Sequence, residues 1–443
     1  MRAQVPNRTK HDTSAMLAEL LRRSAWLATG SVLGRVLPLL VLLASSRSLD
    51  AAGYATVSAA FAWIGVSTSL STTGLATVLA QQLGPIESRV AQRAVLRQFV
   101  LRSAAASGLL GLLVAAAGDK AAATLFGVAI DPRVTLPAAV AGALWSQVSL
   151  AIAALNGSHQ PRAAAATLAV CGLLQGVPMA LALAWGLAPM AMAWCTAAGS
   201  VAGAGLAAWQ LQRCFGPGLL AAPPAGHGAP APRDGSAVWQ SVAVAVVIPA
   251  GFLASALVAR GPDGPRQLAL YFLLEQVFAV VTYGPALLGQ ALMPMISRRT
   301  AALRSASMGA LADATLRRIV IAALLLGIAG VLLAWVLTLR VDAFAAWLQH
   351  GVLRPGDAWA CRWMLASAAL VACTALLGGA MQGRGDLALA AQLNIAWCAM
   401  FLGTTWALAD LGTTGLQFAR FAAMSLLAVV TAGILLRQAR VGA

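Results

Sequence analysis

The chain has 443 residues, 60% of them hydrophobic and only 10% charged, with a formal net charge of +16 and a mean hydropathy of +0.80. So little charge cannot cover the surface of a soluble protein of this size. A pI near 11.3 would suggest nucleic acid in a soluble chain, but no basic run is interleaved with aromatics, and the excess has another explanation below.

Apolar runs of span length recur from end to end. A helix needs about 20 apolar residues to cross the hydrocarbon core, and only helices and closed barrels satisfy their backbone there. The runs are continuous rather than alternating, which selects helices. Twelve spans are predicted: 24–44, 55–78, 103–117, 136–155, 163–185 and 188–209 in the first half, and 240–259, 268–292, 319–338, 363–380, 387–408 and 415–435 in the second. With the N-terminus cytoplasmic, inside segments hold twenty of the thirty Lys and Arg residues, whereas outside loops are near neutral. This is the positive-inside pattern of a bacterial inner-membrane protein with both termini in the cytoplasm. The basic inner loops are placed to meet anionic lipid headgroups, so membrane lipids are the expected partners and nucleic acid is not.

Taken in chain order, residues 13–24 read as a short amphipathic helix, either lying in the interface or extending the first span. The first span carries Arg35 near its middle and Pro38 one turn later. It follows a long basic segment and precedes eleven more spans, so it is read as a retained helix rather than a signal peptide. Residues 213–238, rich in Gly, Pro and Ala, form a linker between an N-lobe (1–212) and a C-lobe (239–443). The eighth span holds Glu275 and the twelfth Arg420, at matching depths from the outer side. Trp26, Trp185, Trp209, Trp239, Trp359 and Trp363 sit at or near span ends, as in an interfacial aromatic belt.

A formal charge inside a span costs at least about 2.5–3.5 kcal/mol, so it faces a partner or a wet cavity. Glu275 and Arg420 are read either as a structural ion pair, or as a coupling carboxylate (Glu275) beside a cationic substrate-binding lining (Arg420). Arg35 is assigned to holding an anionic group, because a guanidinium fork matches phosphate oxygens. Its alternatives are a partner across the halves or backbone carbonyls. Gln81, Gln147, Gln175, Gln276, Gln290 and Asn394 are expected to bond between helices. Pro178, Pro249, Pro285 and Pro294 mark kinks or broken turns. The six cysteines form no Cys-x-x-Cys pair and the four histidines have no ligand spacing, so no metal, cofactor or enzyme chemistry is expected. No nucleotide-binding motif appears that would power an ATP-driven pump.

An even number of spans per half gives both halves the same orientation, so a duplication would be parallel, about an axis along the membrane normal. Weak internal similarity agrees. Tyr54 aligns with Tyr271 at an offset of 217, and Asn156 with Gln382 at 226. The expected fold is all-α and polytopic, with twelve transmembrane helices in two six-helix lobes related by a parallel pseudo-two-fold axis.

Four segments carry a family resemblance: RSLDAAGYA after the first span, TGLATVLAQQLG ending the second, YFLLEQVFAVVTYGPALLGQALMPMISR over the eighth, and LQHGVLRPGDAW with MQGRGDLALAAQLN around the tenth. Through them the chain resembles the multidrug/oligosaccharidyl-lipid/polysaccharide exporter superfamily, and is most similar to its Wzx-like polysaccharide flippase branch. The resemblance implies two lobes around a cationic, hydrated cavity that opens alternately to each side. It also implies an undecaprenyl-diphosphate-linked oligosaccharide as substrate, with polysaccharide polymerase or export machinery as further partners. Asp50 and Ala55 depart from the family pattern in the first motif, and the roles given to Arg35, Glu275 and Arg420 rest on charge burial, not on the resemblance. The alternatives are a cation-coupled drug or metabolite antiporter on the same scaffold, or a non-transporting scaffold for polysaccharide assembly.

Overall fold

The computed structural model describes residues 8–49, 51–126, 131–187, 189–217, 309–337 and 357–441, with part of 239–297. The described residues are helical almost throughout. Helix α1 (Arg8–Ser48) is followed by α2 (Ala51–Thr68), which passes through a π-helical turn (Ser69–Thr73) into α3 (Gly74–Leu83). Then come α4 (Arg89–Phe126), α5 (Pro132–Gly157), α6 (Pro161–Ala184) and α7 (Pro189–Phe215). In the second half lie α8 (Gly309–Leu337), α9 (Ala358–Arg384), α10 (Leu387–Ala407) and α11 (Gly412–Val441). Among the described residues, nine stretches are long and apolar enough to cross a membrane. The α2–α3 rod covers the expected second span, and the seventh and eighth fall in the partly described 239–297. The 213–238 linker lies mostly outside the described residues, as do Pro249, Pro285 and Pro294.

Two local expectations are adjusted. The third span, expected over 103–117, is the middle of a 38-residue helix, because Arg89, Arg93, Arg97 and Arg102 tolerate helix beyond the hydrocarbon edge. The 13–24 segment is continuous with α1, the extension reading. Starts and stops follow local chemistry. Proline opens α5, α6 and α7, where a missing N–H costs nothing, and Asp131 caps α5 by accepting from the Arg133 N–H at 2.9 Å. Gly385, at φ +90°, ends α9 in the left-handed conformation that glycine adopts without strain.

The N-lobe is built on the closest helix pair of the described structure, α1 against α6. Gly30 and Gly34 of α1 lie against the backbone of Ala165 and Leu168 of α6, while Gly172 and Gly176 of α6, spaced the same way, lie against Gly34 and against Leu37 and Pro38 of α1. A Cβ on Gly30 would lie 2.6 Å from Ala165 Cα, and one on Gly172 would fall inside the carbonyl of Gly34. Lipid tails are as apolar as leucine, so such backbone-to-backbone packing, not hydrophobic exclusion, holds membrane helices together.

The helix packing of the N-lobe recurs in the C-lobe. In the N-lobe α4, α5 and α7 pack in series, α5 against its two neighbours, and in the C-lobe α8, α9 and α11 do the same around α9. Gly157 of α5 lies against Ala80, where a Cβ would meet Ala80 Cα at 2.7 Å. Gly383, 226 positions later, lies against Ile296, where the same atom would meet Ile296 Cβ at 2.8 Å. The 226-residue offset is that of the Asn156–Gln382 match, now seen as an equivalent contact in parallel halves.

Among the described helices, extended packing runs within each lobe. The lobes touch at the end that bears both chain termini. Ser297 Oγ donates to the Gln81 carbonyl at 2.9 Å, and Leu387, the first residue of α10, is buried in the N-lobe core with Leu79, Leu83 and Leu155.

At the opposite end of the C-lobe, Arg266 pairs with Asp357 at the head of α9. Gln267 accepts from the Thr413 N–H at 2.9 Å and from its hydroxyl at 2.7 Å, which ties the same turn to the head of α11. The Arg266 and Asp357 side chains are only 16% and 10% exposed. Removing one partner of a buried pair costs about 3–5 kcal/mol. Asp357→Ala is therefore expected to lower the melting temperature in detergent clearly, whereas Asp410→Ala is expected to leave it unchanged. Equal melting of Asp357→Ala and the parent would show that the pair contributes nothing.

Candidate functional site

The eighth span presents Tyr271, Glu275 and Phe278, and the i, i+4, i+7 spacing places them on one helix face. Helix α11 presents Gln417 and Arg420, one turn apart and about two turns from the end away from the termini. These two faces meet. Arg420 forms an ion pair with Glu275, its Nη1 donates to Gln417 Oε1 at 3.4 Å, and its guanidinium carbon lies 4.6 Å from the centre of the Phe278 ring. The Tyr271 hydroxyl is within hydrogen-bonding reach of the same guanidinium. The cluster sits beside an apolar wall of Ala250, Ala254, Leu416, Ala419 and Phe401.

Its electrostatics are asymmetric. The Arg420 side chain is 8% exposed and that of Glu275 29%. The cation is therefore the deeper partner, spread over a carboxylate, an amide oxygen and an aromatic face, while the carboxylate is the accessible edge. This arrangement suits a guanidinium, whose delocalised charge pairs and stacks at once. Arg35 belongs to the other lobe, midway along the apolar part of α1, with an exposed side chain next to the Gly34 contact. The structure thus brings Glu275 and Arg420 together in the C-lobe and places Arg35 on the first helix of the N-lobe.

The N-lobe holds a polar feature of its own that hydropathy does not reveal. In the π-helical turn, Ser71 Oγ bonds to Ser67 O at 2.6 Å and to Ser146 Oγ of α5 at 2.7 Å, while Ser146 donates to Gly142 O at 2.7 Å. Single π turns are rare and recur at functional sites. This one widens the α2–α3 rod opposite Gly142, where a Cβ would lie 2.8 Å from Ser67 Cβ. Of the span amides, Gln147 joins helices as expected, donating to Ser103 and Ser107 of α4 at 3.1 Å each, and Gln175 is buried. Gln276 and Gln290 lie outside the described residues. Among the described residues no group of three His, Cys, Asp or Glu residues is placed to hold a metal ion.

No family model and no curated protein matches this sequence. Solved structures do. The eukaryotic MATE transporter AtDTX14 superposes with a TM-score of 0.73 at 14% identity, over 97% of this chain and 98% of that one. A MOP-superfamily transporter from Pyrococcus furiosus, whose binding pocket is described as having reversed polarity that suggests a different function, matches at 0.71 and 13%, over 96% and 95%. An outward-facing multidrug-resistance MATE transporter of the same superfamily gives 0.69 and 13%, over 95% and 96%.

The chain has the MATE-type fold. Coverage is nearly complete in both directions, and the expected twelve-helix, two-lobe architecture fits that fold. In a MATE-type fold the Glu275–Arg420 cluster belongs to the second lobe, and Arg35 and the serine-rich π turn to the first. Two of these three structures are described as belonging to the superfamily that the sequence motifs resemble. None of the three structures is described as a polysaccharide flippase.

Proposed function

We propose that this chain is an alternating-access membrane transporter, a multi-pass protein of the bacterial inner membrane rather than an enzyme. The fold carries this reading: two parallel six-helix lobes of MATE type, packed within themselves and touching at one end. A drug or metabolite antiporter is the substrate class supported by the described functions of the fold's relatives, among them a multidrug-resistance transporter.

One observation favours a second substrate class. The carboxylate placed inside the membrane, Glu275, is already paired with Arg420, which blunts it as a site for a coupling cation or a cationic drug. With Arg35 exposed in the first lobe, the balance of charge suits an anionic amphiphile, of which a diphosphate-linked oligosaccharide is the candidate. A deletion strain separates the two. Lost surface polysaccharide with lipid-linked precursor retained inside supports the flippase. Intact polysaccharide with hypersensitivity to cationic drugs supports the antiporter, and no change in either would overturn both. Arg35→Ala is expected to abolish export of the anionic substrate while the protein remains in the membrane at parental level. Undiminished export by that variant would remove Arg35 from substrate binding.

A further inference from the structure

His159 occupies the turn between α5 and α6 at φ +60°, a left-handed conformation uncommon for a side-chain-bearing residue. Its half-buried ring joins two elements distant in sequence. Nδ1 lies 2.6 Å from Nη2 of the buried Arg23 of α1, and Nε2 lies 3.1 Å from the carbonyl oxygen of Gly84, just beyond α3. Arginine can only donate, so Nδ1 must be the bare nitrogen, and Nε2–H donates to Gly84. Both contacts are satisfied only by the neutral ring.

The segment that His159 fixes is the one the other lobe grips. Gly84 closes the last turn of α3 through its N–H to Ala80 O at 3.3 Å, and Gly157 pins Ala80 from behind. Within that turn Gln81 offers its carbonyl to Ser297, its side chain lies beside Gly385, and Leu83 adjoins Leu387 in the shared core. A chain of contacts therefore runs from Arg23 through His159 and the end of α3 to both C-lobe segments that meet the N-lobe.

We infer that His159 is a pH-sensitive latch on the junction between the lobes, closed when the ring is neutral and released when it is protonated. Protonation converts Nδ1 from acceptor to donor and sets an imidazolium against the Arg23 guanidinium, so the contact turns from attractive to repulsive. An unperturbed histidine changes charge near pH 6.5. The other charged groups around the turn are Arg22 of α1, Glu87 and Arg89 of the α3–α4 turn, and Arg162 of α6, with Arg384 and Asp386 paired at 3.6 Å within the α9–α10 turn on the C-lobe side of the junction. Arg89 lies over the Phe215 ring at 5.8 Å and Arg162 over Trp26 at 5.1 Å, so both are held by partners of their own, and Glu87 is exposed. Among the charged groups named, Arg23 is the one that His159 meets in a hydrogen bond. The inference concerns the junction and is read as a distance, so it can fail while the transporter reading stands.

The test uses spin labels at Val90 of α4 and Arg437 of α11, both exposed at the termini-bearing end, in the full-length protein in nanodiscs. At pH 8 one short distance should dominate, and at pH 5.5 a longer population should exceed half. His159→Asn keeps a residue that tolerates positive φ but carries no titrating ring, and its distribution should not move with pH. Arg23→Gln can turn its carbonyl towards the protonated ring, so it too should lose the response. A parent distribution unchanged from pH 8 to 5.5 would overturn the latch, as would an undiminished response in both variants.

Discussion

Gly172→Val is expected to remove most folded protein from the membrane. The branched side chain would have to occupy the space of the Gly34 carbonyl, and backbone on both sides leaves nothing flexible to give way. Overpacking a core ordinarily costs about 1–3 kcal/mol, and a β-branched group between two helix backbones lies at or beyond the upper end. The α1–α6 pair is the closest contact of the N-lobe, so separating it should dismantle the lobe rather than loosen one edge. The control is Gly108→Val on α4, where an added Cβ meets nothing within 4 Å. Yield of monodisperse protein in mild detergent decides the matter. A parental yield for Gly172→Val would mean that the helices are not in backbone contact.

The second large effect concerns Arg420 and Glu275. Arg420→Gln leaves a carboxylate with a neutral amide partner, and Glu275→Gln leaves a buried guanidinium without its counter-charge. Breaking a buried pair from one side costs about 3–5 kcal/mol, and the deeper position of Arg420 makes Glu275→Gln the worse of the two. The double variant should recover part of that stability, because two amides can bond to each other. Thermal melting of the three variants measures the structural share, and transport by the recovered double variant measures the functional one. A stable but inactive double variant assigns the pair to transport. A stable and active one reduces it to scaffolding.

The fold was largely legible because the bilayer leaves few choices: a long apolar run must be a helix, and the Lys and Arg distribution orders the loops. The Glu275–Arg420 pair was legible for the same reason, since a charge at that depth needs a partner and the depths matched. The Gly30/Gly34 and Gly172/Gly176 spacings were present in the sequence, but which of its many glycines face each other depends on helix rotation. The π-helical turn was not legible. Serines 67 and 71 read as ordinary small polar residues until Ser146, 75 positions from Ser71, supplies the bond. His159 looked like a lone loop histidine because its partners are 136 and 75 residues away, and only the folded chain brings Arg23 and Gly84 to its two nitrogens.

The most direct test of alternating access is a pair of distances taken on the same protein. One is the Val90–Arg437 pair at the termini-bearing end, the other Leu187–Leu411 at the opposite end, both in protein whose partly exposed Cys195 and Cys214 are changed to serine. Two lobes that rock about a central site should give two populations at each end, with the short distance at one end accompanying the long distance at the other as conditions shift. A single distance at both ends, unmoved by pH, drug or lipid-linked oligosaccharide, would contradict a transporter and leave a static membrane scaffold.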